Sequence, residues 1–169
     1  MSQVPAHPAK LWELIKDTRF GMLSHRHPDG KLHAHPLTTM NKELGADGVL
    51  YFFVSRSTEL GTRLAQDGNV NISYANLDKD SYVSVTGTAR VSEDMGRKRE
   101  LFNTAAKAWF PNGPEDPDLE LIEVSIDEAE YWDVKQSKLR QVFTMAKAAA
   151  TGKQPPKDMA DHGEMHFHS

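Results

Sequence analysis

Apolar and polar positions recur along this chain with two different periods, and the switches between them mark its elements. From Pro8 to Arg19, Leu11, Leu14, Ile15 and Thr18 fall on one face at helical spacing, opposite Lys10, Glu13, Lys16 and Asp17. This predicts an amphipathic helix that Gly21 ends. Phe20 to His25 is a short apolar run followed by Pro28-Asp29-Gly30, whose fixed φ, side-chain acceptor and tolerance of positive φ favour a tight turn. Leu32 to Met40 is predicted to return antiparallel as the second arm of a hairpin. Val49-Leu50-Tyr51-Phe52-Phe53-Val54 is aromatic and β-branched throughout, the pattern of a strand covered on both faces and central in its sheet. Ser57 is predicted to cap a short helix, Thr58 to Gln66, with Glu59 in its first turn and Leu60 and Leu64 at i, i+4.

Two further strand-like runs follow, Val70 to Ala75 and Tyr82 to Val91, with turn-forming residues between them. Within the second, Gly87 predicts a bulge or a close backbone approach. Ser92-Glu93-Asp94 opens a charged helix reaching Lys107, and Pro111-Asn112-Gly113-Pro114 with Asp116-Pro117 forces an irregular loop. Leu119 to Ile126 and Ala129 to Val134 are predicted as two strands, and about Ser137 to Ala149 as a helix. Beyond Thr151 the chain is rich in Pro, Lys, Asp and His without apolar periodicity, which predicts a mobile tail. Residues 1–150 are thus expected to form one domain and residues 151–169 a flexible extension. Many short strands interrupted by a few helices favour a mainly β fold, a small antiparallel barrel with peripheral helices, over a parallel βαβ sheet.

Composition narrows the function. A chain of 169 residues removes roughly two-thirds of its extended surface from water on folding, enough for one core. Its 20 basic residues are scattered among 24 acidic ones, which gives no electrostatic footprint for nucleic acid or an anionic membrane. The absence of cysteine removes disulfides, thiolate metal sites and a Cys nucleophile. The first ten residues carry no apolar run behind a basic start, and nowhere do ~18 apolar residues follow one another. A cytoplasmic location is expected.

Candidate chemistry is sparse. There is no Gly-rich phosphate loop, no His-Glu-x-x-His and no Gly-x-Ser-x-Gly. His25 and His27 flank the first turn, His33 and His35 share one face of a strand, and His162, His166 and His168 lie in the tail. An imidazole pair at i, i+2 lacks the third ligand and supporting shell of a metal site, so none is expected at His33/His35. The tail histidines read as an adventitious metal binder. Trp109-Phe110 sits just before Pro111 on the edge of a Pro/Gly loop; two such rings plug a core or an interface, or wall a planar ligand. Lys107 is either solvated or a cation beside an anionic ligand group. No acid–base pair can be picked out.

Several segments together resemble the general stress protein branch of the pyridoxamine 5′-phosphate oxidase-like, FMN-binding split barrels. They are His33-Ala34-His35-Pro36-Leu37-Thr38, Tyr51-Phe52-Phe53-Val54-Ser55, Tyr82 to Ala89, Lys107-Ala108-Trp109-Phe110-Pro111 with Gly113 and Asp116-Pro117-Asp118, and Glu130-Tyr131-Trp132-Asp133. The resemblance runs from about Leu11 to Asp133. It implies a Greek-key split β-barrel that forms a homodimer, with FMN, or FAD, held along the subunit interface. On that basis His35, Pro36, Leu37 and Thr38 run beside the isoalloxazine ring and ribityl chain, and Phe53, Val54 and Ser55 support the flavin from the neighbouring strand. Ser57 and Thr58 meet the phosphate at a helix start, where free N–H groups favour an anion. Tyr82 faces the flavin, Trp109 and Phe110 reach the pocket from the partner subunit, and Lys107 just before them places a cation near the ligand.

The chain departs from the family where many relatives carry Arg or Lys after that Ser/Thr: here the residues are Glu59-Leu60. Either Arg56 or Arg63 then supplies the charge, or flavin affinity is weakened. The function implied is a flavin-binding stress protein with a redox role, with NAD(P)H as a candidate donor and no protein residue required for the electron chemistry. The alternative is a non-enzymatic flavin carrier or sensor. A true pyridoxamine-phosphate oxidase is disfavoured, because Val134 to Ser169 holds Arg140 as its one arginine.

Overall fold

In the computed structural model, residues 8–18, 20–154 and 161–167 are described. Helix α1 (Pro8–Ile15) begins on a proline, whose missing N–H is no loss in a first turn, and buries Leu11 and Ile15. Strands β1 (Gly21–Arg26) and β2 (Leu32–Leu37) form the expected hairpin. Its turn is closed by the Gly30 N–H on the His27 carbonyl at 2.8 Å, with Gly30 at φ +86. Strand β3 (Val49–Ser55) leads into α2 (Glu59–Gln66). Strands β4 (Asn69–Asn76) and β5 (Ser81–Ser92) follow, then α3 (Met95–Leu101) and α4 (Thr104–Trp109). Strand β6 (Leu119–Asp133), α5 (Val134–Thr151) and β7 (Asp161–His166) complete the described chain.

The strands pair antiparallel in the order β2-β1-β4-β5-β6-β3, with β7 added on β6. The sheet curls until its two ends meet without closing. Between β2 and β3 there is one bridge, Thr39 to Phe52, supported by the Met40 N–H on the Tyr51 carbonyl at 2.8 Å. The Asn41 side chain extends this seam: its amide nitrogen donates to the Val49 carbonyl and its oxygen accepts from the Tyr51 N–H, both at 2.8 Å. Leu23, Leu50, Phe52, Ile72, Val85 and Ile122 fill the concave side, with α1 and α2 adding Leu11, Ile15, Leu60 and Leu64. On the convex side the Phe53 ring meets Phe102 at 6.1 Å, where Leu101, Ala106, Leu119 and Leu121 are buried. No described helix is long and apolar enough to cross a membrane.

Several expectations change. Strand β3 lies at an end of the sheet order and not at its centre; its second face is covered by the α3–α4 region, with the Arg97 guanidinium 5.3 Å from the Tyr51 ring. The cap of α2 is Thr58, not Ser57, because the Thr58 hydroxyl accepts the Gly61 N–H. The charged helix divides at Phe102 and Asn103, where the Asn103 side chain accepts the Ala106 N–H and starts α4 afresh. The two predicted C-terminal strands are one continuous β6.

The tail also differs from expectation at residues 161–166, which form β7. Its pairing with Glu128–Asp133 rests on backbone bonds that polar side chains do not oppose. Gly163 lies against the Tyr131 ring with no room for a Cβ, the Trp132 and His162 rings stack at 5.3 Å, and Met165 is 2% exposed. Residues 1–7, 19, 155–160 and 168–169 lie outside the described residues, as does the expectation for His168.

The register shifts between Thr86 and Gly87 as expected, and a Cβ on Gly87 would press on the Ser125 carbonyl oxygen. Gly87→Ala is therefore expected to lower stability by about 1–3 kcal/mol. Met165→Ala should cost about 2–5 kcal/mol if β7 is part of the core. Denaturant unfolding of each variant measures both, and an unchanged midpoint for Met165→Ala would show that β7 contributes nothing.

Candidate functional site

The β1–β2 hairpin brings four imidazoles together. Side chains on one face of a strand recur every second residue, so His25 on β1 and His33 and His35 on β2 point the same way. His25 is directly opposite His33 in register, with His27 just beyond β1. The His25 and His35 rings stack at 5.0 Å with their Nε2 atoms 3.0 Å apart, and the His27 and His33 rings stack at 4.5 Å. Burial is deepest at His25, 2% exposed. It pushes the His25 pKa down, and the neighbouring His35 adds to the effect.

Glu59, in the first turn of α2, faces this cluster. Its Oε1 lies 3.4 Å from His27 Nε2 and 3.2 Å from His33 Nδ1, while His27 Nδ1 lies 3.1 Å from Asp29 Oδ1. The carboxylate that interrupts the family pattern thus lies against two imidazoles at the hairpin.

The turn before α2 is occupied by a different carboxylate. Asp118 accepts the Ser55 hydroxyl at one oxygen and the Ser57 N–H, at 2.9 Å, at the other. The Ser55 hydroxyl and then the Ser57 N–H hold its carboxyl below the ordinary range. Thr58 is committed to its cap, donating to the Ser55 carbonyl at 2.7 Å. Arg63 is spent on the Arg26 carbonyl and on Gln66. Arg56 meets Glu120 through Nε at 2.9 Å, and its side chain is 62% exposed. Nearby Lys98 has its pKa lowered by burial first and by the Arg56 charge second.

These positions can be compared with what a phosphate-bearing flavin requires. Strand β2 ends the sheet order, and Pro36, which has no N–H to give, suits such an edge. That leaves backbone groups of the His35–Thr38 segment for a planar ligand. At Ser57 and Thr58, by contrast, the donors are taken by Asp118 and by the helix cap, so a phosphate there has to displace Asp118. Val54 is 5% exposed in the core and offers only its backbone, and the Phe53 ring packs on Phe102. Tyr82, on β5, is three strands from β2. Lys107 is exposed on α4, Trp109 at its end is 83% exposed, and Phe110 is half-buried. A pocket of about 180 Å³, lined by Asn41, Tyr51, Arg97 and Glu100 among others, includes no residue predicted for the site.

Asp118 and the Glu59–histidine contacts were not part of the predicted site. Seeing them takes the cross-strand register and the return of the loop before β6, neither of which is a local pattern. Because Asp118 titrates lower folded than its ordinary 3.8, unfolding takes up a proton at pH between the folded value and the ordinary one. Its contribution is complete above the ordinary value and disappears as pH falls through the folded one. Asp118→Asn should therefore flatten the acid limb of a stability–pH curve; an unaltered slope would show that the Ser55–Asp118 contact is not formed in solution.

Comparisons with known proteins agree with this architecture. Residues 6–156 match the family described as pyridoxamine 5′-phosphate oxidase like. Protein bli-3 of Neurospora crassa is 29% identical over 154 residues, covering 85% of this chain and 72% of that protein. The general stress FMN/FAD binding protein of Xanthomonas citri is 30% identical with a TM-score of 0.64, over 74% of this chain and 87% of that one. General stress protein 26 of Bacillus anthracis is 28% identical with a TM-score of 0.63, over 72% and 90%. With the match spanning most of the chain and the antiparallel sheet shared, this protein belongs to the pyridoxamine 5′-phosphate oxidase-like family, in its general stress protein branch.

Proposed function

We propose that this chain is a homodimeric flavin-binding stress protein with a redox role, taking FMN or FAD. The observation that carries the reading is the family membership, joined to an edge strand and an indole that one chain leaves uncovered. Met22 and Leu32 on the hairpin and Trp109 on α4 are exposed large apolar groups, the kind a second subunit covers. The dimer places Trp109 and Phe110 of one subunit against the ligand of the other, beside the His35-Pro36-Leu37-Thr38 segment.

Arg56 is the cation for the phosphate in this proposal. It stands in the Ser55–Ser57 turn with an exposed side chain, whereas Arg63 is already committed. The phosphate competes with Asp118 and Glu120 for these groups, which predicts modest affinity. The flavin supplies the electron chemistry when bound; the protein orients the ring and limits its access to water.

A titration with FMN and with riboflavin, followed by visible absorption and fluorescence, tests this directly. FMN should bind more tightly than riboflavin. Arg56→Ala should weaken FMN roughly tenfold, the scale of one charge-assisted contact, and leave riboflavin unchanged. Light scattering should give twice the chain mass. An unaltered FMN spectrum would overturn the proposal. Bleaching of the bound flavin band by NAD(P)H supports the redox role, and retention without bleaching by any reductant pair supports a carrier.

A further inference from the structure

We propose that His27, His33 and Glu59 form a binding site for one divalent transition-metal ion of the zinc, cobalt or nickel kind, with Asp29 orienting His27. The site is independent of the flavin proposal. Its donors come from three places: His27 beyond β1, His33 on β2 and Glu59 in the first turn of α2. Two ligands at 2.0–2.1 Å from a tetrahedral ion lie about 3.3–3.4 Å apart. Glu59 Oε1 is 3.4 Å from His27 Nε2 and 3.2 Å from His33 Nδ1. A carboxylate holding a charged imidazole by a hydrogen bond draws in to about 2.7–2.9 Å. The observed spacing is the longer one, on both sides of the same oxygen.

The support around His27 has the form that a metal-binding histidine requires. A ligating imidazole gives its second nitrogen to a carboxylate or carbonyl, which fixes tautomer and ring direction. His27 Nδ1 lies 3.1 Å from Asp29 Oδ1 and accepts the Asp29 N–H at 3.3 Å, and that carboxylate oxygen is itself held by the Lys31 N–H at 2.9 Å; ligation through Nε2 calls for the Nδ1 proton to face the carboxylate. Donor atoms of His27, Asp29 and His33 all lie within 4.8 Å of one another, so the Asp29 carboxylate is itself within ligand range of both imidazoles. The turn is pinned by backbone bonds between His27 and Lys31 and between Gly30 and His27, each 2.8 Å. Helix α2 is anchored through buried Leu60 and Leu64. Two imidazoles with one carboxylate suit borderline ions and not magnesium or calcium. The three side chains are partly exposed, so an ion can enter and water can complete the shell. Because the His27 and His33 rings stack nearly parallel, ligation by both requires them to turn apart.

The i, i+2 pair His33/His35 does not make this site. His35 turns to His25, and the third ligand comes from a helix that no local spacing indicates. A second group, Glu130, His162 and Glu164 on β6 and β7, gives an internal control.

The test uses the full chain stripped of metal and without flavin. Addition of Co²⁺ should produce the visible bands of a tetrahedral complex at one ion per chain, and Zn²⁺ should abolish them and raise the thermal midpoint. His33→Ala and Glu59→Gln should each lose at least tenfold in affinity, and Asp29→Asn about tenfold through its effect on His27. His162→Ala should bind as the parent does. Imidazole resonances of His27 and His33 in the unaltered protein should shift with Zn²⁺ while those of His162 and His166 stay, a readout that does not depend on any variant folding. The proposal fails if the parent binds no ion, if the resonances of His162 move instead, or if binding survives in His33→Ala and Glu59→Gln.

Discussion

Strand β6 pairs along its length with β5 on one side, and on the other first with β3 and then with β7. Antiparallel pairing satisfies the backbone groups of a buried strand only if the residues keep one register, so the fifteen residues of β6 set the position of three neighbours at once. Leu119, Leu121, Ile122, Val124 and Ile126 are buried along this one segment, on both of its faces. The strand is therefore deeply buried, and it also positions groups at the turn before α2. Its start carries Glu120, which holds Arg56, and the loop before it delivers Asp118 to the turn before α2.

Much of the fold was legible because it depends on short-range patterns. The helical period around Leu11 and Ile15, the Pro-Asp-Gly turn and the alternation from Tyr82 onward each specify an element without help from distant residues. Gly87 was legible as well, since a glycine within a strand signals a bulge or a close neighbour. What was not legible depended on partners. Residues 127 and 128 interrupt the apolar alternation, yet the strand continues because Glu128 pairs with both Thr86 and His166, while Asp127, skipped in the β5 register, accepts the Phe167 N–H. Asp161 to His166 has a single buried apolar side chain, so nothing in its own pattern distinguishes it from a solvated tail.

The site divides in the same way. The family resemblance drew attention to the β2 edge and the start of α2, and flagged Glu59 as a residue that does not belong beside a phosphate. What that carboxylate does instead follows from hairpin register: with His25 opposite His33, the turn puts His27 next to His33, and α2 carries Glu59 onto both. A residue that is anomalous for one chemistry becomes ordinary once its true neighbours are known. Asp118 gave no such warning, because Asp116-Pro117-Asp118 reads equally well as a solvated loop.

The meeting of β2 and β3 has a mechanical side. Elsewhere the sheet is laced by ladders of backbone bonds, but among the described residues this seam is carried by one bridge, the Met40–Tyr51 backbone bond and the amide of Asn41. A side-chain amide can rotate about its own torsions while the strands stay intact. The sheet is thus held by fewer bonds across this line than along its ladders, and Asn41 is the side chain that spans it.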